Sequence, residues 1–461
     1  MLRKLIAVLL AAVMVLSLAA CTAPATTPSA DTKEAEPEKE EEAPADEAEE
    51  EAPADEAEDT GDVADYGGIT LTFMNSKPEI SDEMEAIVKG WADQHNVKIE
   101  FYETSNPTDT QTQKYAAGDG PILAVVDSTQ IVEMGEEKML PLDGAEWEGE
   151  TKLAWYVNGK LYGMPLSVES QCLFVNKKAV EETLGREFDK SQYTTTETFE
   201  ALLAELREKG MENPIIMMSE SWSMCGHLFA QMMNFQDGTA QGCFDFVDYI
   251  KDGGDAYDNE MFKNQVKIYQ IYSEYNINKA DPLAAVYDLN CSYLVDGEAA
   301  FMSNGTWGWP DLAAMGADVN DYEIMSHPID NDLTGRVQAS ATKFIVIDNT
   351  IATPEQQEAA KAFLNYLTMT DEGQKALVEN CGIVSAFSNN PYAPADPVNT
   401  SLAVDYMATG KTVNTVPFGA PSDFRTTMEP YIQKLVTGLG TDRELADALN
   451  DYWRSHEPNG R

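Results

Sequence analysis

From residue 69 onward the sequence alternates between two hydrophobic periods, and that alternation limits its fold more than any other feature. Residues 69–74 (ITLTFM) read as a strand. Ile80, Met84, Ile87, Val88 and Trp91 then recur at helical spacing, and residues 97–101 (VKIEF) read as a second strand. Strand, amphipathic helix and strand predict a βαβ unit, with paired parallel strands and helices covering the sheet. Residues 122–126 (ILAVV) form a short buried run that ends at Asp127-Ser128. Thr196 reads as the cap of a helix that turns Phe199, Leu202, Leu203 and Leu206 to one face and closes at Gly210. Two further apolar runs, 215–218 and 344–347, read as buried strands. Thr353-Pro354-Glu355-Gln356 predicts a helix start, with proline at the first helical position and glutamine at the third. That helix buries Ala360, Phe363, Leu364 and Leu367, and Thr370 starts another that ends near Gly382. The expected class is α/β with two lobes, which 461 residues at 43% hydrophobic content are enough to build.

The N-terminus differs in kind. Arg3 and Lys4 precede residues 5–20, where Ser17 is the only polar side chain. This run is shorter than the roughly 20 residues a spanning helix needs, so it reads as an export signal. It closes as Leu18-Ala19-Ala20-Cys21, which resembles the bacterial lipobox. Cys21 is therefore the expected lipidation site, and its acyl chains would anchor the chain to the membrane. Residues 22–65 are rich in Ala, Pro, Thr and Glu, and a nonapeptide at 41–49 repeats at 50–58. Such a stretch cannot bury enough apolar surface to offset its ordering, and Pro37, Pro44 and Pro53 interrupt any helix. It reads as a disordered tether.

The net charge of −48 is shared between this tether and the rest. Residues 31–65 hold 18 acids and two lysines, while residues 66–461 hold 61 acids against 27 bases. No basic cluster is present to neutralise phosphates, which excludes nucleic acid as a partner. Five cysteines remain after Cys21, an odd number at wide spacing, so neither a disulfide framework nor a metal cluster is expected. The four histidines are scattered. His95 reads as part of a surface helix, His227 as a core edge, His327 as a turn before Pro328 and His456 as a tail. Residues 330–335 begin like a calcium loop, but its twelfth position is Ala341, and a hairpin turn is the better reading. No enzyme motif is found, and neither a cofactor nor a metal is expected.

The informative constellation is aromatic. Asn304-Gly305-Thr306-Trp307-Gly308-Trp309-Pro310 sets two tryptophans among glycines, and Trp222 follows a buried strand in a similar setting. Flat apolar faces with polar neighbours suit a sugar ring, whose C–H face stacks while its hydroxyls take hydrogen bonds. Packing of either indole into a lobe core is the alternative.

Several stretches, in order from residue 69 to 453, resemble the extracellular solute-binding proteins of family 1, the carbohydrate receptors of ABC importers. GDGPILAVVDS with KMLPLD, VNGKLYGMPLSVESQCLFVNKKAVEE, LVDGEAAFMSNGTWGWPDL and ATPEQQEAAKAFLNYLTMTDEGQKAL carry the likeness. Against the maltodextrin-binding members, VESQCLFVNK puts Glu169 on a sugar-contacting glutamate. NGTWGW puts Trp307, and ESW puts Trp222, on stacking aromatics, while PSDFRTT has Arg425 where an aromatic stacks in those relatives. Asn75 and Lys77 align near the N-terminal strand. The expected ligand contacts are Trp307, Trp222, Glu169, Trp309, Asn304, Asp127, Ser128 and Arg425. For Glu169, capping a helix or pairing with a lysine is the alternative.

The resemblance implies two lobes, about 66–168 with 330–385 and about 169–329 with 386–461, joined by crossovers near 166–170 and 328–338. It implies a monomer on the outer face of the cytoplasmic membrane that binds a carbohydrate between the lobes and passes it to permease subunits. Two other functions remain in view: a surface sugar sensor, and a glycosidase that would pair Glu169 with Asp127.

Overall fold

A computed structural model describes residues 64–414, 420–421 and 423–458. The expected export signal, the expected lipidation site Cys21 and the expected tether as far as residue 63 lie outside the described residues.

The strands, in chain order, are β1 (Thr70–Asn75), β2 (Lys98–Glu103), β3 (Leu123–Asp127), β4 (Trp155–Val157), β5 (Lys160–Pro165), β6 (Val168–Asn176), β7 (Ile215–Met217), β8 (Phe301–Gly305), β9 (Tyr322–Met325), β10 (Val337–Ala341), β11 (Lys343–Ile347) and β12 (Thr412–Asn414). They form two sheets, ordered β2-β1-β3-β11-β5-β4 and β12-β10-β6-β8-β7, with β9 also on β6. The expected βαβ unit is present: β1 pairs parallel with β2, Thr70 opposite Lys98. The helix Ser81–Gln94 between them buries Met84, Ile87, Val88 and Trp91. Each sheet has its own core, one around Leu71, Phe73, Trp91 and Phe363, the other around Phe199, Phe229, Tyr269 and Trp453. These are the two lobes of the α/β fold. All five described cysteines are buried and free.

The chain crosses between sheets three times, counting the long return from β11 in the first sheet to β12 in the second. It leaves β5 at Pro165 and enters β6 at Val168, then leaves β10 at Ala341 and enters β11 at Lys343. The second crossing is thus at Thr342 rather than in 328–338. The cause is β10, which pairs antiparallel with β6 through Val168–Gln171 and so keeps residues 337–341 in the second sheet. The loop at 330–335 joins β9 to β10, and both pair with β6, not with each other. It is therefore not a hairpin. Asn331 accepts from the Thr334 amide at 3.0 Å inside it.

Local starts follow the side chains that are free to cap. The helix Pro354–Met369 begins as expected, Thr353 accepting from the Gln356 amide at 3.3 Å. The helix Thr196–Glu208 is instead capped by Thr195, because the Thr196 hydroxyl is taken up in donating to Asp330 at 2.5 Å. Gly210, at φ 112°, closes it in a conformation that favours glycine.

Candidate functional site

β7 and β8 run parallel and end at the same edge of the second sheet, where antiparallel β6 begins. Gln171 lies opposite Gly305, and the Ser170 amide donates to the Thr306 hydroxyl at 3.1 Å. Open α/β sheets bind ligands beyond strand ends of this kind. Here the edge gathers Glu169, Thr306, Trp307 and the segment after β7.

Behind β8 the chain makes one tight turn, Thr306–Gly308, and then a helix, Trp309–Ala314, with Pro310 in its first turn. The two tryptophans part there. Trp307 stays half-buried, its indole folded over Gly305, where a Cβ would stand 2.0 Å from the ring. A side chain at 305 would displace it, so this glycine shapes the platform. Trp309 turns into the lobe core among Phe174, Leu312 and Tyr322, 6% exposed and edge-on to Tyr322 at 5.5 Å. The expectation that Trp309 contacts ligand is corrected: as the first residue of a helix, it faces the apolar layer and not the strand ends.

Trp307 belongs to a ring cluster. It meets Trp222 at 6.2 Å and His227 at 4.8 Å between centroids, both edge to face. Trp222 in turn meets His227 at 5.3 Å and Tyr287 at 6.2 Å. Trp222 and His227 are brought to one side by a π-helical segment, Trp222–Leu228, a wide turn often found at functional sites. Asn304 is buried beside them and donates to the Tyr287 hydroxyl at 3.4 Å. Tyr287 donates to Asp311 at 2.9 Å. Arg425 is exposed at the rim, its stem 3.3 Å from where a Cβ on Gly226 would stand.

The facing wall is ionic. Lys77, 2% exposed, donates to Glu79 at 2.5 Å and to Glu169, which is 9% exposed. Asn75 fixes the Lys77 backbone, accepting from its amide at 3.1 Å and donating to its carbonyl at 2.9 Å. Thr342, at the crossing itself, donates to the other Glu169 oxygen. Burial alone would lower the Lys77 pKa, but the two carboxylates outweigh it and hold the ammonium above its ordinary value. Burial likewise opposes ionisation of Glu169, and Lys77, Thr342 and Lys343 together hold its pKa below the ordinary one. Of the two alternatives for Glu169, pairing with a lysine is what the structure shows. The pair ties the first sheet to β6.

Asp127 and Ser128 sit apart from that pair, at the end of β3. Asp127 caps the helix Ser128–Lys138 together with Gln130, and Lys343 donates to its carboxylate at 2.7 Å. Ser128 is buried in the first turn. Lys343 also reaches the Ser76 hydroxyl at 3.3 Å. No contact joins Asp127 to Glu169 among the described residues.

Around the rings, several buried polar atoms have no hydrogen-bond partner among the described residues: Glu220 Oε2, Ser221 Oγ, His227 Nδ1 and Asn304 Oδ1. Burial raises the Glu220 pKa. Burial lowers that of His227 to about 4, with Glu169 opposing and Arg425 reinforcing the shift. Sequence patterns singled out neither His227 nor Tyr287 as a site residue. His227 lies five residues after Trp222, a spacing that no strand or α-helical period connects. The gap lined by Lys77, Glu79, Glu169, Thr306 and Trp307 measures about 20 Å³. That is room for a water, against the ~300 Å³ or more typical of ligand sites, so this gap as it stands is too small for a sugar.

Residues 86–400 match the family model described as bacterial extracellular solute-binding protein. Solved structures share the fold at low identity. RafE, known also in its apo form from Streptococcus pneumoniae, is 18% identical in its complex with raffinose. The match covers 84% of this chain and 98% of that one, at a TM-score of 0.67. A chitin oligosaccharide binding protein is 17% identical over 83% of this chain and 98% of its own, at 0.65. A manno-oligosaccharide-specific solute binding protein from Bifidobacterium animalis subsp. lactis, solved with mannotriose, is 18% identical over 84% and 93%, at 0.63. Among curated protein sequences, none matches.

Proposed function

The chain belongs to the bacterial extracellular solute-binding proteins, and from that premise we propose that it captures a sugar or short oligosaccharide outside the cytoplasmic membrane and delivers it to an ABC importer. The observation that carries the sugar reading is the ring cluster of Trp222, Trp307, Tyr287 and His227 at the strand ends, facing the buried Lys77–Glu169 pair. Indoles supply stacking surface for the C–H face of a pyranose, and polar atoms without partners supply its hydroxyl contacts. Trp307, Trp222, Glu169 and Asn304 are the proposed contacts on the second lobe, with Asp127 and Ser128 contributing from the first and Arg425 at the rim. The raffinose, chitin oligosaccharide and mannotriose named for fold relatives favour the same ligand class.

Hinge motion follows from the two short crossings, which the pairing of Ala341 with Val168 sets side by side. The lobes open about 166–167 and Thr342 to admit ligand, and close on it to signal the permease. Lipidation of Cys21 holds the protein at the membrane while residues 22–65 let the binding domain stand away from it. No chemistry is done on the ligand. Glu169, kept ionised by Lys77, is unsuited to donate the proton glycoside hydrolysis requires, and Asp127 is engaged by Lys343.

The test is thermal denaturation of the purified protein with raffinose, mannotriose and chitotriose, followed by small-angle scattering. A ligand bound only by the folded state raises the melting temperature with its concentration. A concentration-dependent rise together with a smaller radius of gyration is expected for at least one of them. No rise with any sugar of the panel contradicts the reading.

A further inference from the structure

The four histidines of this chain are not equivalent. Three have Nδ1 within hydrogen-bond reach of an oxygen: His95 with the Ala64 carbonyl at 2.9 Å, His327 with the Tyr272 hydroxyl at 2.8 Å, and His456 with the Tyr452 carbonyl at 2.9 Å. These are the satisfied rings expected of structural residues. The fourth, His227, has a buried Nδ1 with no partner among the described residues. Leaving a buried polar nitrogen unpaired costs free energy, so such a group calls for a partner from outside the fold, a water or a ligand.

His227 also lies against the two indoles of the proposed site. Its ring is half-buried, edge to face with both Trp307 and Trp222, so it sits at the junction of the two indoles. We propose that His227 is a specificity-determining contact of the sugar site, offering a ring nitrogen to one hydroxyl while the indoles carry the sugar's C–H face. This rests on the sugar-binding reading above and adds to it the group that distinguishes one hydroxyl pattern from another. The charged groups around the ring are Glu169 on β6 and Arg425 on the helix Phe424–Val436. Burial keeps the imidazole neutral near pH 7, which leaves it one donor and one acceptor nitrogen. A neutral ring reads a hydroxyl without attracting an anion. Gly226 beside it leaves space for the Arg425 stem.

The experiment is calorimetric titration of raffinose and mannotriose into the wild type, His227→Phe and Trp307→Ala. Phenylalanine keeps the aromatic wall and removes both nitrogens. The expected result is a loss of about three- to tenfold in affinity for His227→Phe, the worth of one neutral hydrogen bond, with a changed ratio between the two sugars and a nearly unchanged melting temperature. Affinities of His227→Phe within twofold of the wild type for both sugars, while Trp307→Ala loses tenfold or more, overturn the inference and leave the sugar site standing. A lowered melting temperature with an unchanged ratio also overturns it, since that marks packing alone. Where the phenylalanine variant does not fold, His227→Leu is read in the same way. Binding of neither sugar by the wild type, in a chain that also ignores chitotriose, overturns the functional reading and this inference with it.

Discussion

The two walls of the cleft are built from opposite chemistry. On the first-sheet side, Lys77, Glu79, Asp127 and Lys343 are charged, and each is paired. On the second-sheet side, Trp222, His227, Tyr287 and Trp307 form an aromatic surface flanked by buried polar atoms that have no partners among the described residues. A buried ion pair contributes little net stability, because desolvation offsets attraction, but it tolerates little displacement. The Lys77–Glu169 pair therefore suits fixing the register of the first sheet against β6. Unfilled polar atoms beside flat rings suit ligand recognition instead. The difference teaches that closure and recognition can be assigned to separate walls, and that assignment is open to attack by mutation.

The largest effect comes from the two tryptophans that stand two positions apart. Trp309 is core, so Trp309→Ala should cost about 3–5 kcal/mol of stability while the surviving folded fraction keeps its sugar affinity. Trp307 rests on Gly305 and is only half-buried, so Trp307→Ala should leave unfolding nearly unchanged and lower affinity roughly tenfold to a few hundredfold. Chemical denaturation and calorimetry on the same pair of variants check both statements. An exchange of the two phenotypes would break the comparison of walls outright.

That pair also shows where the sequence was legible. The glycines of the GTWGWP stretch pointed to indoles outside the core, and Trp307 is half-buried while Trp309 is core. What the stretch did not reveal was the helix beginning at Trp309, since a six-residue helix offers too few positions for a period to register. Long periodic segments fared better: Met84 to Trp91 and Ala360 to Leu367 face their cores as the spacing predicts. The second crossing was misplaced for a related reason. Residues 337–341 (VQASA) have small and polar side chains although every one is buried, and only their pairing with β6 shows that they are a central strand. Tyr287 meets Trp222 from a segment 65 residues away, and His227 meets Trp307 across 80, and contacts of such span are written in tertiary packing, not in local pattern.

Acid sharpens the comparison next. His227 and His327 are held at about 4 and about 3 in the folded state by burial, below the ordinary 6.5. Between those values the unfolded chain binds protons that the folded chain refuses, so stability is full above pH 6.5 and falls as pH drops through the window. Glu169, whose pKa is lowered, stays ionised through that range, and its contribution is lost only at lower pH. The aromatic side should thus weaken before the ionic one. His227→Phe should flatten the dependence of unfolding free energy on pH between 6.5 and 4 by up to about 1.4 kcal/mol per unit. An unchanged slope would mean that the imidazole is hydrated and that the second wall is more open than its ring contacts imply.

The smallest effect tests where the aromatic wall ends. Arg425 is exposed, forms no ion pair among the described residues, and touches the site through its stem against Gly226. Its guanidinium acts on His227 only at a distance, reinforcing the neutral form. Rim groups of this kind exclude water without adding much energy. Arg425→Ala should therefore change sugar affinity by less than about threefold, with a slight upward drift of the His227 pKa, readable in the nuclear magnetic resonance titration of that ring. A tenfold loss would show instead that the arginine lies across the bound sugar, in the position its sequence alignment suggests. The recognition wall would then extend past His227 to the helix Phe424–Val436, and the division between an ionic and an aromatic side would no longer hold at the rim.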